Sequence, residues 1–341
     1  MEGFLSLELP ELEGRIRSLG QPSYRARQIF SWMHGKGVFR AEEMRNLPGE
    51  LRKQVSPYLS PLPVTLEETQ GSSDGTRKYR FRLEDGGLIE SVTIPEGNRV
   101  TLCLSTQLGC ALGCVFCRTG RMGLRRNLRA EEILGQYYAV RSMFDGDRAI
   151  THVVLMGMGE PLANLDATIR ALKLLTHPLG CGLSTRRITV STVGIPDRLQ
   201  TLFDQIPVSI TLSLNAADDE TRSRLMPVNR RYPMQEVLET LRGLPLPPRR
   251  RFTIAYVLIG GENDRLRDAR SLVRILHGVR CKVNLIPFNP FPDTDLRRPE
   301  EGDLLAFQEF LRSKGLSAHV RWSRGGDVSA ACGQLCGERG G

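Results

Sequence analysis

The chain reads as an α/β protein: an incomplete parallel (β/α)6 barrel preceded by a small helical domain and a β-hairpin extension. Three observations carry that reading. From about residue 98, short aliphatic and β-branched runs alternate with helical stretches six times, and such alternation builds a parallel sheet with right-handed crossovers. Up to about residue 60 the apolar spacing is helical. Between these regions, two alternating segments flank Gly86-Gly87, the pattern of a hairpin. The expected domains are 1–62, 63–97 and 98–341, and a chain of 341 residues has room for one barrel and an appendage.

Short helices are expected at 11–19, at 24–32 with Ile29, Phe30 and Trp32 on the apolar side, and at 42–55 with an interruption near Pro48. Gly35 and Gly37 stop the second of these. Arg25, Arg27, Lys36 and Arg52 suit either a nucleic-acid-binding appendage or a packing domain. The hairpin strands are 76–83 and 88–94, ended by Pro95-Glu96-Gly97. The barrel strands are 100–105, 152–156, 188–191, 208–214, 252–259 and 282–287. Helices are expected at 130–144, 165–175, 196–203, 218–225, 234–241, 265–276 and 304–314, with a last strand at 318–322.

The formal charge is +9, and arginine supplies most of it, in groups. Taken singly, each group is a solvated face. Arg121, Arg125, Arg126 and Arg129 follow the cysteine loop, so they are expected to rim the mouth of the site and attract polyphosphate. The N-terminus lacks the cationic start and apolar run of a secretory signal, and no apolar stretch is long enough to span a bilayer. Eight clustered cysteines do not form a disulfide framework. A cytoplasmic protein is expected.

Cys110-Ala-Leu-Gly-Cys114-Val-Phe-Cys117 places three thiols just after the first barrel strand, and no fourth is near enough to complete the set. A structural zinc site takes four ligands, and an ordinary four-iron cluster takes four thiolates. Three thiolates leave one iron open, which suits chemistry rather than stapling. The Cys114–Cys117 pair alone also fits zinc or redox chemistry, but His152, His177 and Cys181 stand isolated. The Cys-x3-Cys-x2-Cys spacing, with Phe116 before the last cysteine and Gly109 and Gly113 in the loop, resembles that of radical S-adenosylmethionine (SAM) enzymes. The resemblance implies a [4Fe-4S] cluster on Cys110, Cys114 and Cys117 whose open iron chelates SAM. An electron from the cluster then cleaves SAM to methionine and a 5′-deoxyadenosyl radical.

Chemistry in parallel barrels gathers at the C-terminal strand ends. Those ends here carry Gly157-Met-Gly159-Glu160-Pro161, Ser191-Thr-Val-Gly194, Ser213-Leu214-Asn215 and Asn289. Each is weak alone, since polar strand ends and glycine turns are commonplace. Together they make a polar pocket suited to SAM, and the family resemblance implies that the Gly-Glu-Pro element binds its amino group. Beyond the last strand, Cys332 sits among small residues in Ala330-Ala331-Cys332-Gly333-Gln334, a setting that lets a sulfur enter a pocket, whereas Cys281 reads as core.

The run from Thr101 through Cys103 to the cluster motif, the Gly-Met-Gly-Glu-Pro element, Asn289-Pro-Phe and Ala331-Cys332-Gly-Gln resemble the RlmN/Cfr family of RNA adenine methyltransferases. Tyr24-Arg-Ala-Arg-Gln-Ile-Phe-Ser-Trp32 resembles that family's helical accessory domain. The similarity covers almost the whole chain; the two branches share these catalytic residues, and the RlmN branch is preferred as the commoner, housekeeping one. One departure stands out: the family usually has Ser-Leu-His where this chain has Ser213-Leu214-Asn215, which leaves the role of the Asn215 side chain open.

The resemblance implies methylation of C2 of an adenine in the peptidyl-transferase region of 23S rRNA and of the adenine 3′ of the anticodon in certain tRNAs. Cfr-type C8 methylation of the rRNA adenine, with antibiotic resistance, is the alternative. Such a base must leave its stack. Cys332 is expected to take a methyl from one SAM; a second SAM is cleaved; the activated methyl adds to adenine; and Cys103 attacks Cys332 to release the RNA, leaving a disulfide. Glu90 is expected to accept the ring proton, although read alone it is an exposed strand carboxylate. A flavodoxin-type electron donor, no membrane association and a monomer are also expected. A different radical SAM enzyme, with Cys332 and Cys103 dispensable, is one competing reading. A cluster-bearing RNA-binding or redox-sensing protein that does not turn over SAM is another.

Overall fold

The computed structural model describes residues 3–59, 61–144, 150–292 and 294–336. The N-terminal segment forms α1 (Leu9–Ser18), α2 (Tyr24–Phe30), a π-helical turn over Ser31–Gly35, and α3 (Gly49–Val55). Pro10 sits in the first turn of α1, where an N–H has no helical partner. The Glu11 carboxylate accepts from the Glu8 N–H at 2.7 Å. Leu12 and Ile16, four residues apart on α1, share one core with Ile29, Phe30 and Met33. Full burial of each such side chain contributes about 1.5–3 kcal/mol. The helix expected over 42–55 is only a 3₁₀ turn at Ala41–Glu43 followed by α3, because Pro48 holds an extended conformation between them.

The hairpin segment proves to be three strands, β1 (Val64–Gly71), β2 (Arg77–Leu83) and β3 (Leu88–Glu96), all antiparallel. β3 then pairs antiparallel with β4 (Arg99–Leu104), Val92 opposite Cys103. The sheet therefore runs unbroken across the expected boundary at 97/98.

After β4, a second small sheet of β5 (Gln107–Gly109) and β6 (Leu124–Asn127) brackets the cysteine loop, with the single turn α4 (Arg118–Arg121) between them. The units that follow are α5 (Ala130–Arg141), β7 (His152–Leu155), α6 (Leu165–Thr176), β8 (Ile188–Thr192), α7 (Pro196–Gln205), β9 (Ser209–Ser213), α8 (Asp219–Leu225), α9 (Met234–Gly243), β10 (Phe252–Leu258), α10 (Leu266–Ile275), β11 (Cys281–Pro287), α11 (Glu301–Ser313) and β12 (Ala318–Val320). The main sheet has ten strands in the order β1-β2-β3-β4-β7-β8-β9-β10-β11-β12 and is parallel from β4 onward. Chain order and sheet order coincide through this part. Every C-terminal strand end therefore opens on the same side.

The N-terminal helices dock on α5 and α6. His34 Nδ1 lies 2.7 Å from the Tyr138 hydroxyl, and the Arg141 guanidinium donates to the carbonyl of Gly35 at 2.6 Å. Arg170 on α6 donates to the carbonyl of Ser6 at 3.1 Å.

Candidate active site

The strand ends surround a cavity of about 160 Å³. Its wall contains Cys110, Cys114, Cys117, Gly159, Glu160, Ser191, Ser213, Asn215, Asn289 and Cys332. The cysteine loop is held from three sides. Cys110 N–H donates to Gly123 O at 2.9 Å, Val115 N–H to Leu225 O at 3.1 Å, and Arg118 N–H to Gly333 O at 2.7 Å. Gly109 has φ +80° and lies against Gly123, where an added Cβ would stand 1.9 Å from the Gly123 carbonyl oxygen. Only glycine fits that crossing.

Burial pushes the Cys110 thiol up to about 12, and the neighbouring Cys117 and Glu160 push the same way. Cys114 is raised well above the ordinary range, chiefly by burial and then by Cys117, Cys110 and Glu160, and Cys117 is raised by burial. Three adjacent thiols, two buried and one half-buried, cannot all ionise without positive charge among them. A bound metal supplies that charge and displaces the protons. Among the described residues, no three His, Cys, Asp or Glu side chains converge tightly enough for a single metal ion. The three thiols instead bound a common cavity. Donor type and number suit an iron–sulfur cluster with one open iron.

Glu160 is 3% exposed. Its two oxygens accept from Leu162 N–H and Val193 N–H, both at 3.0 Å. Burial raises its pKa, against hydrogen bonds from Thr192, Val193 and Leu162. A carboxylate fixed by backbone donors at the wall of a cavity is a natural seat for an ammonium group. The glycines before it serve the protein's own packing. An added Cβ on Gly159, which has φ +95°, would lie 2.5 Å from Gln107 Cβ. A Gly159→Ala substitution is therefore expected to destabilise the fold by about 1–3 kcal/mol through strain and overpacking, read as a lowered melting temperature.

Ser191 and Ser213 face each other across the wall with their hydroxyl oxygens 3.3 Å apart. Leu214 does not line the cavity. Its side chain is fully buried, its N–H donates to Ala255 O at 3.0 Å, and its carbonyl accepts from Arg222. Asn215 does line the cavity, but its side chain is occupied: Oδ1 accepts from Val257 N–H at 2.9 Å and Nδ2 points at Met226 Sδ at 3.2 Å. Its φ is +58°, a left-handed conformation that asparagine tolerates better than most residues. At the cavity wall the Asn215 side chain thus also clasps the backbone of β10. Asn289 is likewise turned inward: Nδ2 donates to the Cys332 carbonyl at 3.2 Å, and Oδ1 accepts from the Ser323 hydroxyl.

Cys332 is the one exposed cysteine among the described residues, and it is exposed on the wall of the cavity. The protein around it still raises its pKa, by burial first and then by the charge of Cys117. Its segment is tied down by Asn289, by Gln334 Nε2 on Pro290 O at 2.9 Å, and by Thr119 Oγ1 on Leu335 O at 2.5 Å. Cys103 lies outside the cavity wall on β4 and is buried, with its thiol pushed up to about 12 by burial and by the charge of Cys332. Glu90 is also outside the wall and only 2% exposed, so it is no surface carboxylate. Its Oε1 is 3.4 Å from Lys78 Nζ, and its Oε2 accepts from Cys336 N–H at 3.0 Å. The C-terminal segment thus touches the cluster loop through Gly333 and Glu90 through Cys336.

Two of the arginines expected at the rim are engaged with carboxylates. Arg126 pairs with Asp85 at 2.6 Å and Glu132 at 2.8 Å, and Arg129 with Glu84 at 2.7 Å. They brace β6 and α5 against the β2–β3 turn. Gln107, Lys78 and Arg222 were not foreseen in the sequence. Gln107 Oε1 accepts from Glu160 N–H at 2.8 Å.

Residues 104–273 match the model of the Radical SAM superfamily, and residues 3–59 match the ribosomal RNA large subunit methyltransferase N-terminal domain. The chain is 47% identical over 332 residues to the dual-specificity RNA methyltransferase RlmN of Syntrophobacter fumaroxidans, covering 97% of each chain. It is also 47% identical to the protein of the same name from Geobacter sulfurreducens, over 97% of this chain and 91% of that one. Among solved structures, a radical SAM methyltransferase from Sphaerobacter thermophilus superposes with a TM-score of 0.94 at 42% identity, covering 99% of this chain and 100% of that one.

Proposed function

The chain belongs to the RlmN family of radical SAM RNA methyltransferases, and on that footing we propose that it methylates C2 of adenine in 23S rRNA and in tRNA. The observation that carries the reading is the exposed Cys332 thiol on the wall of the cavity bounded by Cys110, Cys114 and Cys117, with the buried Cys103 thiol close enough to feel its charge. One sulfur is poised to carry a carbon, and a second to take that sulfur back.

Cys110, Cys114 and Cys117 hold the [4Fe-4S] cluster, and Glu160, Ser191 and Ser213 line the seat of SAM. When bound, the two groups supply the methyl carbon and the one-electron chemistry that makes it reactive. The remaining work falls to side chains. Cys332 carries the transferred carbon as a thioether. That methyl gives up one hydrogen atom to the radical chemistry that bound SAM would supply, and its carbon bonds to C2 of the extruded adenine. The adduct gives up one electron as C2 loses its proton. Glu90 takes the proton from C2. The Cys103 thiolate attacks the Cys332 sulfur. An S–S bond forms, the S–C bond breaks, and its electron pair stays on the carbon, which is protonated to the product methyl. Asn289 positions the chain at Cys332, and Lys78 and Cys336 N–H orient Glu90.

Among the described residues no helix is long and apolar enough to cross a membrane. A flavodoxin-type protein as electron donor, a cytoplasmic setting and a monomeric enzyme complete the proposal. The test is mass spectrometry of nucleosides from 23S rRNA and tRNA after anaerobic incubation with the reconstituted protein, SAM and a reductant. The expected product is 2-methyladenosine in both RNAs. An 8-methyl product would move the chain to Cfr-type regiochemistry. SAM cleavage with no methyladenosine would refute the substrate.

A further inference from the structure

Arg222, on α8, is fully buried, yet its guanidinium meets only neutral acceptors. Nε donates to Leu214 O at 3.2 Å, Nη1 to Asn229 Oδ1 at 2.6 Å and Tyr232 O at 3.3 Å, and Nη2 to Val193 O at 2.8 Å. Asp219, the acidic side chain whose charge reaches it, has Oδ1 engaged by Asn229 Nδ2 at 2.8 Å and Met234 N–H at 2.9 Å. Burying a cation without a counter-charge is costly. Burial lowers the Arg222 pKa to about 10, which leaves the side chain a cation at neutral pH. The acceptor of Nη2, Val193, lines the cavity together with Cys114, and Cys114 as a thiolate would favour the cation more than Asp219 does. α8 is also joined directly to the cysteine loop, through Val115 N–H on Leu225 O at 3.1 Å.

We propose that Arg222 is the built-in counter-charge of the cluster site. Its cation, kept free of carboxylates by its neutral acceptors, offsets the thiolates of Cys110, Cys114 and Cys117, and so tunes both retention of the cluster and its reduction potential. The inference rests on the cluster reading given above and adds a residue outside the ligand set. Net charge and hydrogen bonding around a cluster are the protein's main means of setting its potential. Reduction adds negative charge, so a nearby cation stabilises the reduced form. Removing that cation makes the potential more negative.

The test compares the parent with Arg222→Gln, Arg222→Met and Arg222→Lys, each reconstituted anaerobically. Iron and sulfide content, melting temperature and an EPR-monitored redox titration are measured without RNA. The two neutral variants are expected to titrate at more negative potential than the parent, and Arg222→Lys near the parent. All three are expected to melt lower, because the carbonyls of Val193 and Leu214, just beyond β8 and β9, lose their fork. Arg222→Met keeps apolar volume in a buried place, and it carries the prediction should Arg222→Gln not fold. Folded neutral variants that lose iron while Arg222→Lys keeps it would also support the proposal. Full iron and an unchanged potential in the neutral variants would overturn it, and so would an equal shift in all three, which would make Arg222 only a backbone clasp. A parent that takes up no iron would overturn the cluster reading itself, and the proposal with it.

Discussion

Replacing Cys332 by alanine is expected to abolish methylation of both RNAs while leaving iron content at the parent's level. The two effects separate because Cys332 belongs to the cavity wall but not to the cluster loop. The loop is positioned by Gly123, Leu225 and the carbonyl of Gly333, all backbone groups that an alanine at 332 leaves in place. The segment is likewise held by bonds to the carbonyls of Cys332 and Leu335 and by Gln334, none of which uses the sulfur. The fold should therefore barely register the change. The chemistry should stop, because an electron-poor adenine carbon cannot attack a methyl group and needs one delivered on a protein sulfur. A serine variant should be equally inactive, since its hydroxyl is a far weaker nucleophile and leaving group than a thiol. Nucleoside mass spectrometry and iron assay decide the matter. Methyladenosine formed by either variant would refute the sulfur-carrier mechanism.

Most of the barrel could be read from the chain because its strands are short, aliphatic and separated by amphipathic helices. The expected strand 252–259 is found as β10 (Phe252–Leu258), and 282–287 as β11. What escaped was structure held by charge. β1 is mostly exposed, with Val64 its one buried residue, and it is bound to β2 by Arg80 with Glu68 at 2.5 Å and with Glu67 at 3.6 Å. Paired charges across an edge leave no apolar alternation to detect. The β5–β6 sheet escaped because its strands are only three and four residues long and flank a loop whose interest lay in its cysteines.

In the site, Cys110, Cys114, Cys117, Cys332 and Glu160 stand out in the sequence by their motifs, and the structure sets them on one cavity wall. Polar side chains at the strand ends do a second job. Asn215 and Asn289 line the cavity and also clasp Val257 N–H and the Cys332 carbonyl. Arg222 is the converse case: within Asp-Glu-Thr-Arg-Ser-Arg it reads as one more surface charge, yet it is completely buried. No local pattern separates it from Arg224, which is exposed and pairs with Glu262.

A Cys103→Ala variant is expected to accumulate protein covalently bound to RNA, visible as a slower band on a denaturing gel and removed by ribonuclease. Bond formation to adenine needs only Cys332, whereas release needs a second sulfur to attack it. Cys103 is buried on β4 and electrostatically coupled to Cys332. The other candidate, Cys336 in the C-terminal segment, is buried with its N–H committed to Glu90. Truncating a buried thiol to a methyl leaves a small void and costs about 1 kcal/mol, so the variant should stay folded and loaded. The pH dependence carries the sharper test. Burial, the largest cause of its raised pKa, keeps the Cys103 thiol high in the RNA-bound species too, where the Cys332 sulfur is an uncharged thioether. Its thiolate fraction therefore rises about tenfold per pH unit throughout the working range. In the parent, the RNA-bound species should decay faster as pH rises from 7 to 9 (about neutral to mildly alkaline), with no plateau below that pKa. In Cys103→Ala it should persist at every pH. A variant that shows no cross-link while still making product would assign release to another group, and a parent whose release rate ignores pH would remove thiolate attack from the rate-determining step.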